Sequence, residues 1–347
     1  MMHKHKNLRK TFYDFDRESF DQLAEKYKWP SFRVDQLIGW QEKHIQSVDE
    51  MTNISIKMRE QLKEEMHWPP IKIVQVETSE KEPVKKYLLQ LQDGNIIETV
   101  SMHYNYGHSI CLTMQVGCRM GCHFCASAKL GLNRNLTAGE MLAQIAIIAY
   151  AEKSRISHAV LMGIGEGLDN YDETITFLQR LRSDDGISMS LRNVTLSTCG
   201  LAPEIKRLAH ENLPVTLAIS LHSSNQDTRN KLMPIAKHYT IPEIISAGDY
   251  YFKVTGRRVT YEYTLFKDVN DHPQEAENLA NLLKNKNVHV NLIPANEISG
   301  SDWTRPDQKT IDKFQEVLLK NQINSTIRFS AGQDITAACG QLRRQNA

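Results

Sequence analysis

The chain has 347 residues, 41% hydrophobic and 24% charged, the make-up of a globular protein of one large or two ordinary domains; a disordered or fibrous chain is excluded. Lys and Arg number 42 against 41 Asp and Glu, a formal charge of +1, so no global basic field marks a nucleic-acid partner. Basic runs are local, as in "HKHKNLRK" at 3–10, "KEPVKK" at 81–86 and "GRR" at 256–258.

Residues 1–70 read as polar helices with apolar spots such as "FRVDQLIGW". The pattern then changes. "IKIVQV", "KYLLQLQ" and "NIIETVSMHY" are rich in β-branched and aromatic residues and predict strands. Asp93-Gly94 predicts a two-residue hairpin between the last two, with Glu98 on the second arm. From about 109 strands alternate with helices: "ICLTMQV", "HAVLMGI", "NVTLST", "VTLAISL", "RVTYEYTLF" and "VHVNLIP" are each followed by a helical stretch. Thr137 and Glu140 form a capping box at the head of "AGEMLAQIAIIAYAEK". Six βα units predict a parallel sheet with helices outside; a closed or partly closed barrel and an open doubly wound sheet both fit. The resulting division is a helical accessory domain at 1–70, a β-hairpin linker region at 71–108 and a core at 109–347.

No signal-peptide pattern opens the chain and no apolar run is long enough to span a bilayer, so a cytoplasmic protein without membrane contact is expected. In a reducing compartment clustered cysteines point to metal binding or catalysis rather than structural disulfides. Four of the six cysteines lie in "CLTMQVGCRMGCHFC". Cys118, Cys122 and Cys125 have the spacing C-x3-C-x2-C just after a predicted strand. Structural zinc wants four protein ligands. No fourth is evident here, since Cys111 is on the preceding strand and His123 is mis-spaced. Three thiolates on a four-iron cluster leave one iron open for substrate, which is the better account. Cys111 and Cys118 are an odd interval apart, so on a continuing strand they would face opposite sides.

This cysteine spacing, with Phe124 before the last thiol, resembles the signature of the radical S-adenosylmethionine (radical-SAM) enzymes. The rest of the chain, from "FRVDQLIGW" to "AACGQLR", resembles one branch of them, the ribosomal RNA adenine methyltransferases RlmN and Cfr. The resemblance implies a partial (β/α)6 barrel with a small helical N-terminal domain. It implies a 4Fe-4S cluster on Cys118, Cys122 and Cys125, and two molecules of S-adenosylmethionine (SAM) per turnover. Gly165 and Glu166 match the "GE" element that meets the cofactor's amino group, although this chain has Gly167 where the family often has proline. Ser197, Ser220, Leu221, His222 and Asn296 match the other cofactor contacts; each alone reads as an ordinary turn or cap residue. Without the resemblance, "GIGEG" would be only a weak dinucleotide-loop signal.

A ring carbon of adenine has no lone pair to attack a sulfonium methyl group, so a radical route with a protein carrier makes chemical sense. By the resemblance, Cys339 is the S-methylcysteine carrier, Glu98 the proton acceptor, and Cys111 the resolving thiol that ends in a transient disulfide with Cys339. Cys199 has no role and is expected to be a packed thiol. The implied partners are 23S rRNA free of ribosomal protein, tRNA, and an electron donor such as flavodoxin or ferredoxin; a monomer is expected. The carbon-2 branch matches best, through "DGNIIETV" and "HVNLIPAN". Phe329, Ser330 and Ala331 depart from that branch close to Cys339, and carbon 8 is the alternative. Two further readings change the class: a radical-SAM enzyme on a non-RNA substrate, and a non-enzymatic metal module that binds RNA.

Overall fold

The computed structural model describes residues 8–183, 185–296, 303–328 and 330–343. The N-terminal part is helical, as its pattern predicts: α1 Arg17–Tyr27, α2 Phe32–Glu42 and α3 Ile56–Glu65. Asp16 and Ser55 cap α1 and α3 by accepting from the backbone N–H of Ser19 and Met58. Phe12, Phe20, Leu37, Met51 and Leu62 are buried, in one continuous core with the apolar residues of the sheet. Arg180 donates to the carbonyls of Tyr13 and Phe15, and Thr137 donates to Asp14 at 2.6 Å. The helical part therefore sits on the first turn of α4 (Ala138–Glu152) and on α5 (Tyr171–Arg182). Gly139 makes that seat possible, because a Cβ there would land inside Asp14.

Three antiparallel strands follow, β1 Lys72–Thr78, β2 Val84–Gln90 and β3 Ile96–Tyr104, and β3 pairs antiparallel with β4 Gly107–Cys111. The β2–β3 turn is longer than the two residues that Asp93-Gly94 predicts. Leu91 N–H bonds the Asn95 carbonyl, and Asp93 is drawn into the turn by Asn95 and Arg134. The stretch 71–108 is built into the main sheet.

The remaining long strands are β7 His158–Leu161, β8 Val194–Thr198, β9 Thr216–Ser220, β10 Val259–Leu265, β11 Val288–Pro294 and β12 Ser325–Ile327. From β4 to β12 they pair parallel, in the order β4-β7-β8-β9-β10-β11-β12. The predicted capping box heads α4, and α6 Ala202–Leu208, α8 Ile241–Thr255, α9 Pro273–Leu283 and α10 Gln308–Lys320 follow the pattern. A further short helix, α7 Gln226–Leu232, lies in a polar stretch that carried no helical signal. A doubly wound sheet reverses its strand order at a switch point. This sheet does not, so of the two predicted arrangements the partial barrel is the one formed. Its two ends are joined by the segment after β12. Ser79 donates to Asp334 at 2.9 Å, and Lys86 Nζ bonds Ile335 O at 2.7 Å and Thr336 Oγ1 at 2.8 Å. Among the described residues no helix is long and apolar enough to cross a membrane.

Candidate active site

β4 stops at Cys111, and the chain resumes as a two-residue pair, β5 Gln115–Val116 against β6 Arg134–Asn135. The cysteine loop hangs from this pair as from a clasp. Gly117, at φ +82°, is needed at its neck, since a Cβ would strike the Gly131 carbonyl. The break also voids the alternation argument for Cys111 and Cys118, because no continuous strand joins them.

Cys118, Cys122 and Cys125 face one cavity of about 170 Å³. Burial raises the thiol pKa of Cys118 and Cys122, and the charge of neighbouring cysteines raises both further; Cys118 is pushed up to about 12. Such a donor set favours its anionic form only with cationic metal at its centre. A single tetrahedral zinc would draw its sulfurs to roughly 3.8 Å of one another. Among the described residues, the one trio whose ligand atoms all lie within 4.8 Å is His103, His108 and Glu152, outside this cavity. The three sulfurs are spread wider, which suits a multi-iron cluster better than one ion. Phe124 wedges the loop against His222 at 4.9 Å and Phe266 at 5.3 Å.

The rest of the cavity wall comes from the C-terminal ends of the parallel strands, where a βα barrel keeps its site. Gly165, Glu166, Ser197, Ser220, His222 and Asn296 all line it. Leu221 does not: its side chain is fully buried, and only its backbone helps, bonding the Glu262 carbonyl at 3.0 Å. Gly165, at φ +106°, leaves room for the Gln115 side chain, whose oxygen accepts from Glu166 N at 2.9 Å. The Glu166 carboxylate accepts from the N–H of Cys199 at 2.7 Å and of Leu168 at 3.0 Å. Burial raises its pKa and these bonds oppose the rise. His222 Nδ1 accepts from Thr264 N at 3.0 Å, which puts the imidazole proton on Nε2.

Cys339 lies on the wall that this cavity shares with a second one of about 110 Å³, and Cys111 faces the second alone. Cys339 is exposed and lines both cavities. Burial raises both thiols, Cys111 to about 12; Cys339's charge adds to the rise at Cys111, and Arg328 opposes both. Glu98 is on neither wall. It is buried on β3, its carboxylate accepting from Arg343 N at 2.9 Å with Lys86 Nζ 4.0 Å away. Cys199 is packed, as expected, and its thiol hydrogen-bonds Glu166. Of the departures near Cys339, Ser330 and Ala331 line the second cavity; Phe329 lies outside the described residues.

Two residues escaped the sequence reading. Arg229 on α7 is fully buried and donates to the carbonyls of Cys199, Ser220 and Leu221, tying the ends of β8 and β9 together. Nothing in "NQDTRNKL" signals this. Glu262 lines the cavity from β10, with Oε1 bonded to Asn291 and Oε2 buried without a hydrogen-bond partner. A lone acid within the apolar run "VTYEYTL" was a legible signal.

The Radical SAM superfamily model matches residues 112–283, and the model of the ribosomal RNA large subunit methyltransferase N-terminal domain matches residues 10–67. A protein of Clostridium novyi named "Probable dual-specificity RNA methyltransferase RlmN" is 44% identical over 336 residues, 96% of this chain and 98% of that protein. One of the same name from Alkaliphilus oremlandii is 47% identical over 329 residues, 95% of each chain. The crystal structure of a radical SAM methyltransferase from Sphaerobacter thermophilus superposes with a TM-score of 0.93 at 38% identity, covering 96% of this chain and 99% of that one.

Proposed function

The chain belongs to the RlmN family of radical-SAM RNA methyltransferases, and on that premise we propose that it methylates carbon 2 of an adenosine in 23S rRNA, at the peptidyl transferase centre, by way of Cys339. The proposal extends to tRNA, with which the "dual-specificity RNA methyltransferase" in the relatives' names is consistent. The observation that carries it is the place of Cys339: one side meets the cavity of the three cysteines, the other meets Cys111.

In this reading Cys118, Cys122 and Cys125 hold a 4Fe-4S cluster, and Gly165, Glu166, Ser197, Ser220, His222 and Asn296 hold SAM, with Leu221 serving through its backbone. When bound, the cluster and two successive SAM molecules supply a methyl group and then a radical that takes one hydrogen atom from it. Cys339 carries that carbon and joins it to adenine. Glu98 takes the ring proton as the odd-electron adduct gives up one electron, which a cluster held by the three cysteines would take back; the backbone around Arg343 must withdraw from the Glu98 carboxylate for this. Cys111 attacks the Cys339 sulfur, frees the product and leaves a disulfide that must be reduced. Residues 1–70 grip RNA, a flavodoxin or ferredoxin supplies electrons, and the enzyme works as a monomer.

Intact-protein mass tests the carrier. Wild-type chain incubated with SAM gains one methyl group and Cys339→Ala does not; a methylated Cys339→Ala chain would refute the assignment. Cys111→Ala is expected to accumulate protein crosslinked to RNA, and free product at the normal rate would sink the resolving role. A second reading, methylation of carbon 8, draws support from Ser330 and Ala331. Both line the cavity that Cys111 faces, where a changed wall would turn the adenine.

A further inference from the structure

The end of β3 and the turn into β4 carry two tyrosines, Tyr104 and Tyr106, that none of these steps uses. Tyr104 and Tyr106 stack on each other, with centroids 4.9 Å apart and planes 13° from parallel. Tyr106 also meets the His158 ring edge-on at 5.1 Å. The pair is nonetheless wet: Tyr104 is 38% exposed and Tyr106 65%. Ordered, stacked rings left in solvent are what a stacking partner needs. Both line the second cavity, together with Cys111, Cys339 and the cationic Arg328. Cys339 thus has a cofactor side and an opposite side, and the opposite side opens onto the tyrosines.

We propose that Tyr104 and Tyr106 form a stacking platform for an unpaired nucleobase of the RNA, the neighbour of the adenine that Cys339 serves. The proposal rests on the RNA-methyltransferase reading above. A base offers a π-face whatever its identity, so the platform orients the strand without reading its sequence. Arg328 supplies positive charge beside it for the backbone phosphate. Single-stranded or splayed RNA presents bases in this way, whereas a paired base must first leave its stack.

The test uses cluster-reconstituted protein without reductant or SAM, so binding is read apart from methylation. The probe is an RNA hairpin with the target adenosine in its loop and 2-aminopurine beside it. Wild-type protein should bind and quench the fluorophore by stacking. Tyr104→Ala/Tyr106→Ala should lose the quench and bind roughly tenfold more weakly. Tyr106→Phe, which keeps the ring, should hold affinity within about twofold. Tyr106→Ala alone serves if the double variant misfolds, because its ring is largely in solvent. Wild-type affinity and quenching in the alanine variants would overturn the platform while RNA methylation stands. A wild-type chain that binds no RNA would overturn the RNA reading and the platform with it.

Discussion

Arg229 shows how one side chain holds the site. Its guanidinium satisfies three carbonyls at the ends of two strands, and the side chain is fully buried. Arg229→Met keeps the bulk and strips the donors. We expect a loss of about 3 kcal/mol, because buried acceptors left unpaired cost about 1–3 kcal/mol each. Chemical denaturation of the anaerobic protein reads this; an unchanged midpoint would show that water replaces the guanidinium. His222 gives a pH signature. Burial, then the charge of Arg229, pulls its pKa down to about 3. The unfolded imidazole takes a proton below about pH 6.5 and the folded one does not, so stability is complete above 6.5 and is lost as pH falls toward 3. The slope reaches at most about 1.4 kcal/mol per pH unit. His222→Gln should flatten the difference between pH 7 and pH 5; an equal slope in both proteins would exclude His222 as its source. The trio Cys118, Cys122 and Cys125 was legible in the sequence, because thiols at that spacing have few other uses; Cys111 and Cys339 stood out only through the family resemblance. Arg229 and the seal on Glu98 were not legible, because each depends on a partner distant along the chain.

Among the elements, α4 connects the helical part to the barrel. Its first turn carries Gly139 against Asp14, and Asp14 also accepts from Thr137. Alanine would gain about 1 kcal/mol of helix propensity. Overpacking costs typically about 1–3 kcal/mol, and here the obstruction includes Asp14 backbone, so the clash wins. Gly139→Ala should therefore loosen the helical part, with faster amide hydrogen exchange across 8–67 while the barrel strands stay protected. Uniform protection in both proteins would contradict this seat. Helix α4 was readable from its capping box, and α5 and α10 from their apolar period; α7 was not, being seven residues of polar composition. The end of β4 at Cys111 was equally hidden, since "ICLTMQV" holds no Gly or Pro to mark a break and only the clasp at β5 and β6 shows where the ladder ends.

At the scale of the molecule, the βα rhythm predicted parallel strands and helices but left barrel and doubly wound sheet open. Strand order decides between them, and order is a property of pairing rather than of any one segment. The closure by residues 330–343 was hidden for the same reason: the segment has no period, and its contacts reach back to Ser79, Glu82 and Lys86. That closure places Cys339 between two cavities and Glu98 behind a backbone N–H, so the fold and the proposed carrier chemistry stand on one arrangement. The measurement that tests it most directly is nucleoside mass spectrometry. Reconstituted protein is given SAM, a reductant and unmodified 23S rRNA without oxygen, and the RNA is digested to nucleosides. The account predicts 2-methyladenosine from wild-type protein and none from Cys339→Ala. 8-Methyladenosine instead would contradict the choice of carbon and direct attention to Ser330 and Ala331, and no methyladenosine from protein with an intact cluster would contradict the RNA substrate itself.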